Sequence, residues 1–185
     1  MSRPSHYSDT LVLEVSASRR FAGINRRRLR VLARSACDHL AIRGGAVSIY
    51  LADDEEMGRL HEQFKGRSGP TDVLTFQLQP TRRAPAGKAR AARVDAEIVV
   101  GAEVAQREAR DRGLAVEAEA LLYVVHGLLH CLGEDDHNSA SAKRMHARED
   151  RVLRAVGVGR VFSEPARLPG RATMMQRRRR RSLDR

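Results

Sequence analysis

The segment from Val116 to Leu132 is apolar on nearly every side of a helix. Ala120, Leu121, Leu122, Tyr123, Val124, Val125, Leu128, Leu129 and Leu132 leave almost no polar face for water. A helix of this kind belongs in the middle of a core, enclosed by other elements. Two histidines interrupt it, His126 and His130. Four residues apart on a helix, they share one face and can aim both imidazoles at one point. Buried imidazoles need partners for their ring nitrogens. Gly133 then stops the helix and lets the chain turn back, and the return carries another histidine, His137.

Histidines at i and i+4 are the arrangement a helix offers to zinc. Such a pair is common by chance, so the weight rests on its apolar surroundings and on His137 after the glycine stop. His126, His130 and His137 together give three ligands and leave one tetrahedral position open to water, the arrangement of a catalytic zinc. Imidazole also suits nickel, copper and iron. Zinc peptidases of the H-E-x-x-H type place a glutamate after the first histidine as general base. Gly127 stands there instead, which argues against peptide hydrolysis. The run Glu134-Asp135-Asp136 lacks the D-x-D-x-D-G spacing of a calcium loop. Asp135 is expected to orient a histidine, Cys131 to point off the shared face into the core, and His146 to be exposed.

The remaining pattern supplies the elements that enclose the helix. Residues 10–15, 46–51, 72–78 and 94–101 read as strands. Asn25 caps a helix whose apolar positions run from Leu29 to Leu40, and Gly44-Gly45 is expected to end it. Further helices are expected over 53–64, with an acidic first turn, over 103–112, stopped by Gly113, and over 142–156. Residues 80–93, with two Pro and many basic side chains, read as a long mobile connection. The expected fold is a single α+β domain over residues 1–160. A mixed sheet of about four strands packs with about five helices, and the metal site lies on the central buried helix. Residues 161–185 are expected to be a disordered basic tail.

Composition narrows the classes. Charged residues make up 31% of the chain, and aromatics only 4% with no Trp, which disfavours a protein built on aromatic base-stacking platforms. No apolar run is long enough to span a membrane. Two distant cysteines form no disulfide framework, which reads as a reduced, cytoplasmic protein. The net charge is +11, and residues 165–185, with eight Arg and one Asp, hold +7 of it. The Arg177–Arg181 run is expected to add affinity for RNA phosphates.

The segment His126-Gly127-x-Leu129-His130-x-x-Gly133, followed by Asp135 and a histidine, resembles the signature of the YbeY family. The stretch from Phe64 to Phe76 (FKGRSGPTDVLTF) resembles a second family block, and Ala96-Glu97-Ile98-Val99-Val100 a third. Met145 and Glu149 match a pattern in the last helix. The resemblance covers roughly residues 10–157. It implies a single-strand-specific endoribonuclease with one zinc in a cleft. It also implies 16S rRNA as substrate in 3′-end maturation, a role in ribosome quality control, and the ribosome or its small subunit as partner. The alternative is a non-catalytic ribosome assembly factor in which zinc only braces the fold.

Three departures from the family pattern bear on the site. One extra residue separates His130 from the next histidine, so Asp136 stands at the usual ligand place with His137 beside it. His137 is favoured as the third ligand and Asp136 is the alternative, since carboxylates also bind zinc. Lys65 replaces the usual arginine, offering a point charge to phosphate instead of a bidentate fork. It is the candidate catalytic side chain, with Arg67 nearby. His61 replaces a common asparagine and reads as a surface or packing residue. Asp72 either organises the loop entering its strand or lines the cleft.

Overall fold

The computed structural model describes residues 10–18, 23–83 and 91–159. Its elements follow the order β1 (Leu11–Ala17), α1 (Arg26–His39), β2 (Ile42–Ala52), α2 (Asp54–Lys65), β3 (Val73–Arg83), β4 (Ala92–Gly101), α3 (Ala102–Arg112), α4 (Val116–Cys131) and α5 (Ser139–Ala155). The sheet order is β1-β2-β4-β3. β1 and β4 run parallel to β2, and β3 lies antiparallel to β4 at one edge. This is the expected α+β fold of four mixed strands and five helices.

Alternation along the strands divides the apolar side chains between two faces. Leu11, Leu13, Val47, Ile49, Leu51, Val94, Ala96, Ile98 and Val100 join α1, α4 and α5 in the main core. Ala52, Leu74 and Val99 face the other way and meet Met57 of α2 in a smaller cluster. α4 lies in the main core against β3, β4 and three other helices. Among the described residues no single helix is long and apolar enough to cross a membrane.

Local chemistry sets the element ends. Asn25 and Asp53 cap α1 and α2 through their side chains. Asn138 forms a capping box with Ser141, so α5 begins at Ser139, ahead of the expected 142. Gly44-Gly45 does not end α1; both residues lie inside β2, and Ala41, with φ 57°, makes the turn. The reason lies at Gly45, where φ is +103° and a Cβ would stand 2.0 Å from the Val94 carbonyl oxygen. The glycine lets β2 pass β4 at a register shift.

Part of the expected mobile connection is strand. Residues 80–83 extend β3 and residues 92–93 extend β4, with Arg82 opposite Arg93 and Arg83 opposite Ala92. Pro80 is tolerated because β3 is an edge, irregular in register on either side of Gln79. Residues 84–90, and the basic tail expected over 161–185, lie outside the described residues.

Candidate metal centre

Every residue from Ala118 to Cys131 is buried except His126 and His130, which are partly exposed. The two histidines therefore mark the one stripe where the core helix meets a cleft. Their Nε2 atoms lie 2.9 Å apart. His126 Nδ1 lies 2.8 Å from Oε1 of Glu149, a fully buried side chain on α5. His130 Nδ1 lies 2.9 Å from the Glu134 carbonyl oxygen.

These contacts decide where the ring protons sit. A carbonyl and a carboxylate oxygen both accept, so each Nδ1 carries the hydrogen and donates it. In the neutral imidazoles, both Nε2 atoms then present lone pairs to one another. Two acceptors at that distance repel unless a proton or a cation lies between them. Fixing Nδ1–H on a carboxylate or carbonyl is also how metal-binding histidines are held. The donor set thus fits a cation shared between the two Nε2 atoms.

Asp136 brings an oxygen to the pair, its Oδ2 4.0 Å from His126 Nε2. Among the described residues, His126, His130 and Asp136 form a group whose ligand atoms all lie within 4.8 Å of one another. The residue of the returning loop in this group is Asp136, whereas His137 was favoured for that role. Gly133, at φ 87°, fixes the start of the loop, and the Asn138 cap fixes its end. Between them the His137 amide donates to Asp135 Oδ1 at 3.2 Å, so Asp135 shapes the turn. His137 is exposed and lines the same cleft.

The electrostatics of the two imidazoles diverge. Burial pulls the His126 pKa down, but the hydrogen bond and charge of Glu149, with Asp136, outweigh it and leave it raised. Burial and the neighbouring His126 lower that of His130.

Two clefts meet at His126. One, of about 380 Å³, is lined by Lys65, Thr75, Gln77, His126, His130 and His137. Lys65, at the C-terminus of α2, thus shares a cleft with all three candidate histidines. Gly66 (αL) closes α2 behind it, and the His61 Nδ1–H donates to the Gly69 carbonyl at 2.8 Å, bracing the loop. The second cleft, of about 630 Å³, shares His126 and Asp136 and extends past Asp72, Glu119, Tyr123 and the exposed His146. Asp72 does both things expected of it: it lines this cleft, and its Oδ1 accepts from Thr71 Oγ1 and from the Val73 amide.

Gly127 has a steric reason. A Cβ there would stand 2.5 Å from Thr75 Oγ1 and 3.4 Å from two carbons of Ile98. The helix approaches the sheet too closely for a glutamate after the first histidine. Cys131 is buried, and burial pushes its thiol up to about 11, away from the thiolate a metal needs.

Sequence reasoning matched Glu149 to a pattern in the last helix without giving it a task. A buried acid facing a histidine is legible only once α4 and α5 are packed. The stapling of His130 by a main-chain carbonyl leaves no sequence signal.

Comparison with known proteins gives the family and the fold. Residues 15–157 match the family model described as Endoribonuclease YbeY. A protein of that name from Halorhodospira halophila is 38% identical over 122 residues, covering 66% of this chain and 77% of its own. Another, from an Anaeromyxobacter species, is 36% identical over 145 residues, covering 76% and 71%. The solution structure of a Thermotoga maritima protein superposes with a TM-score of 0.54 at 25% identity, over 78% of this chain and 89% of that one. From the match over residues 15–157 and these relatives, the chain belongs to the YbeY endoribonuclease family.

Proposed function

We propose that the protein is a metal-dependent endoribonuclease acting in the cytoplasm on single-stranded rRNA, in 16S rRNA 3′-end maturation and ribosome quality control. The observation that carries the metal-dependent reading is the pair of Nε2 atoms facing one another at 2.9 Å with both Nδ1 atoms occupied. Family membership supports RNA as the substrate. The ribosome or its small subunit is the proposed partner.

His126 and His130 hold the ion, which we take to be zinc. The 135–137 turn supplies the third ligand, with Asp136 the nearer donor and His137 beside it. Bound zinc would bring a water pKa near neutrality and polarise a phosphoryl oxygen. Glu149 and the Glu134 carbonyl keep the Nδ1 hydrogens engaged, so both Nε2 lone pairs stay directed at the cleft. The exposed Lys65 ammonium meets charge on the phosphate, and Arg67 adds to it. The rival reading is an assembly factor with a purely structural ion. Structural zinc sites are closed, whereas His126 and His130 both line open clefts, which favours catalysis.

The test is His130→Ala, purified alongside the parent protein and assayed on single-stranded RNA with metal content measured in both. Loss of bound metal together with loss of cleavage is expected. A folded variant that cuts as well as the parent overturns the catalytic metal.

A further inference from the structure

The two clefts that meet at His126 differ in charge. The smaller carries Lys65. The larger, between α3, α4 and the 70–72 loop, carries Asp72, Glu108 and Glu119, with Arg112 as the one guanidinium among its lining residues. Arg112 is already engaged: it reaches Glu119 Oε1 at 3.1 Å and Glu108 Oε2 at 2.9 Å. Glu119 is fully buried, and burial raises its pKa against the opposing pull of Arg112 and a hydrogen bond from Tyr123. At about 630 Å³ the cleft has room for a small heterocycle.

A strand of RNA crossing the metal group must place its phosphates and its bases differently in these two clefts. Phosphate is attracted to Lys65 and repelled by a wall whose four carboxylates, Asp136 included, outnumber its one guanidinium. A nucleobase carries no charge, and its edge brings hydrogen-bond donors that carboxylates accept, as they accept from the cytosine amino group. Single-stranded RNA is read in this way, with unstacked bases turned into pockets and bonded on their edges. The apolar Leu122 and Val104 and the ring of Tyr123 complete a lining suited to a flat heterocycle.

We propose that the acidic cavity receives a nucleobase next to the bond that is cut, and that it prefers bases bearing an exocyclic amine. Adenine, cytosine and guanine present such a donor. Uracil presents carbonyl oxygens at the corresponding places, which face the carboxylates unfavourably. Glu108 and Asp72 accept from the amine, and the buried Glu119 and Tyr123, tied to Arg112 through Glu119, hold the inner wall in place. The identity of the ligand rests on the nuclease reading.

The experiment compares equal-length single-stranded oligomers of adenylate, cytidylate and uridylate. Both binding and metal-dependent cleavage are measured for the full chain and for Glu108→Gln and Glu119→Gln. The expected result is about tenfold preference for the amine-bearing strands over uridylate, narrowing towards parity in the variants. Glu108 is partly exposed, so its variant holds the test if the buried Glu119→Gln fails to fold. Absence of discrimination in the parent protein, or discrimination unaltered by Glu108→Gln, overturns the pocket. Cutting without discrimination overturns the pocket and leaves the nuclease standing. Discrimination in binding that Glu108→Gln abolishes, without any cutting, supports the pocket and overturns the nuclease.

Discussion

Gly127 and Glu149 show how single residues divide the work at the candidate metal centre. Gly127→Ala sets a methyl 2.5 Å from Thr75 Oγ1, so that either the threonine side chain or α4 must shift. Overpacking of this kind costs about 1–3 kcal/mol. Thermal melting should show the loss, and a melting point equal to the parent's would refute the close approach. Glu149 is the opposite case. It is fully buried, and among the described residues its Oε2 has no hydrogen-bond partner, so it burdens the fold while holding His126. Glu149→Gln should leave the metal-free protein as stable as the parent or more so, while lowering metal affinity about 10–100-fold in a chelator competition. Equal affinity would show that His126 needs no carboxylate behind it. At this scale the helix pair was legible in the sequence because its spacing is local and its apolar setting is continuous. The residue that the returning loop groups with the pair was not. Asp136 and His137 are adjacent candidates, and the fold of the turn, not the local pattern, groups Asp136 with the pair.

Among the elements, β3 does more than a short edge strand would. Its extension past Pro80 reaches the C-terminal end of α4, where the last carbonyls have no partner within the helix. Thr81 Oγ1 donates to the Cys131 carbonyl at 2.6 Å, and Arg83 donates to the Leu132 carbonyl at 2.9 Å. Thr81→Val removes one of these bonds at nearly constant volume. It should cost about 1 kcal/mol, read as a fall of about 2–4 °C in melting temperature for a chain of this size. No change would mean that water replaces the hydroxyl freely. This strap was invisible in the sequence, where 80–93 reads as a loop on account of its prolines and charges. Proline loses its meaning as a breaker at an edge, where its missing donor faces no neighbour. Gly44-Gly45 misled for a related reason: the same residue that ends a helix also permits a tight strand crossing, and only Val94 opposite distinguishes the two.

For the molecule as a whole, the division into strands and helices followed from periodicity, and the mixed α+β sheet from the order of the elements. The placement of β4 between β2 and β3 did not, since no local pattern encodes which edges pair. The two cysteines report on the integrity of this assembly. Burial pushes Cys37 up to about 12 and Cys131 up to about 11. At pH 8 the thiolate fraction is then on the order of one part in a thousand or less. Both raised values fall only when the core opens and the thiols return to ordinary water. Thiol-specific reagents should therefore label neither cysteine in the native protein at pH 8 and both after denaturation. Fast labelling without denaturant would mean that α1 or the end of α4 opens readily.

The chain order of the elements has a consequence for how the molecule is made. The four strands precede α4, and synthesis delivers them first. Parallel pairings gathered across long crossovers form slowly, while α4, apolar on nearly every side, would aggregate if left waiting in water. Because it emerges last but one among the described elements, the surface that receives it has already been translated. Only then does α5 arrive with Glu149 to hold His126. The candidate ligand group is thus among the last things the nascent chain can complete, and uptake of an ion there would report that the elements before it have found their places.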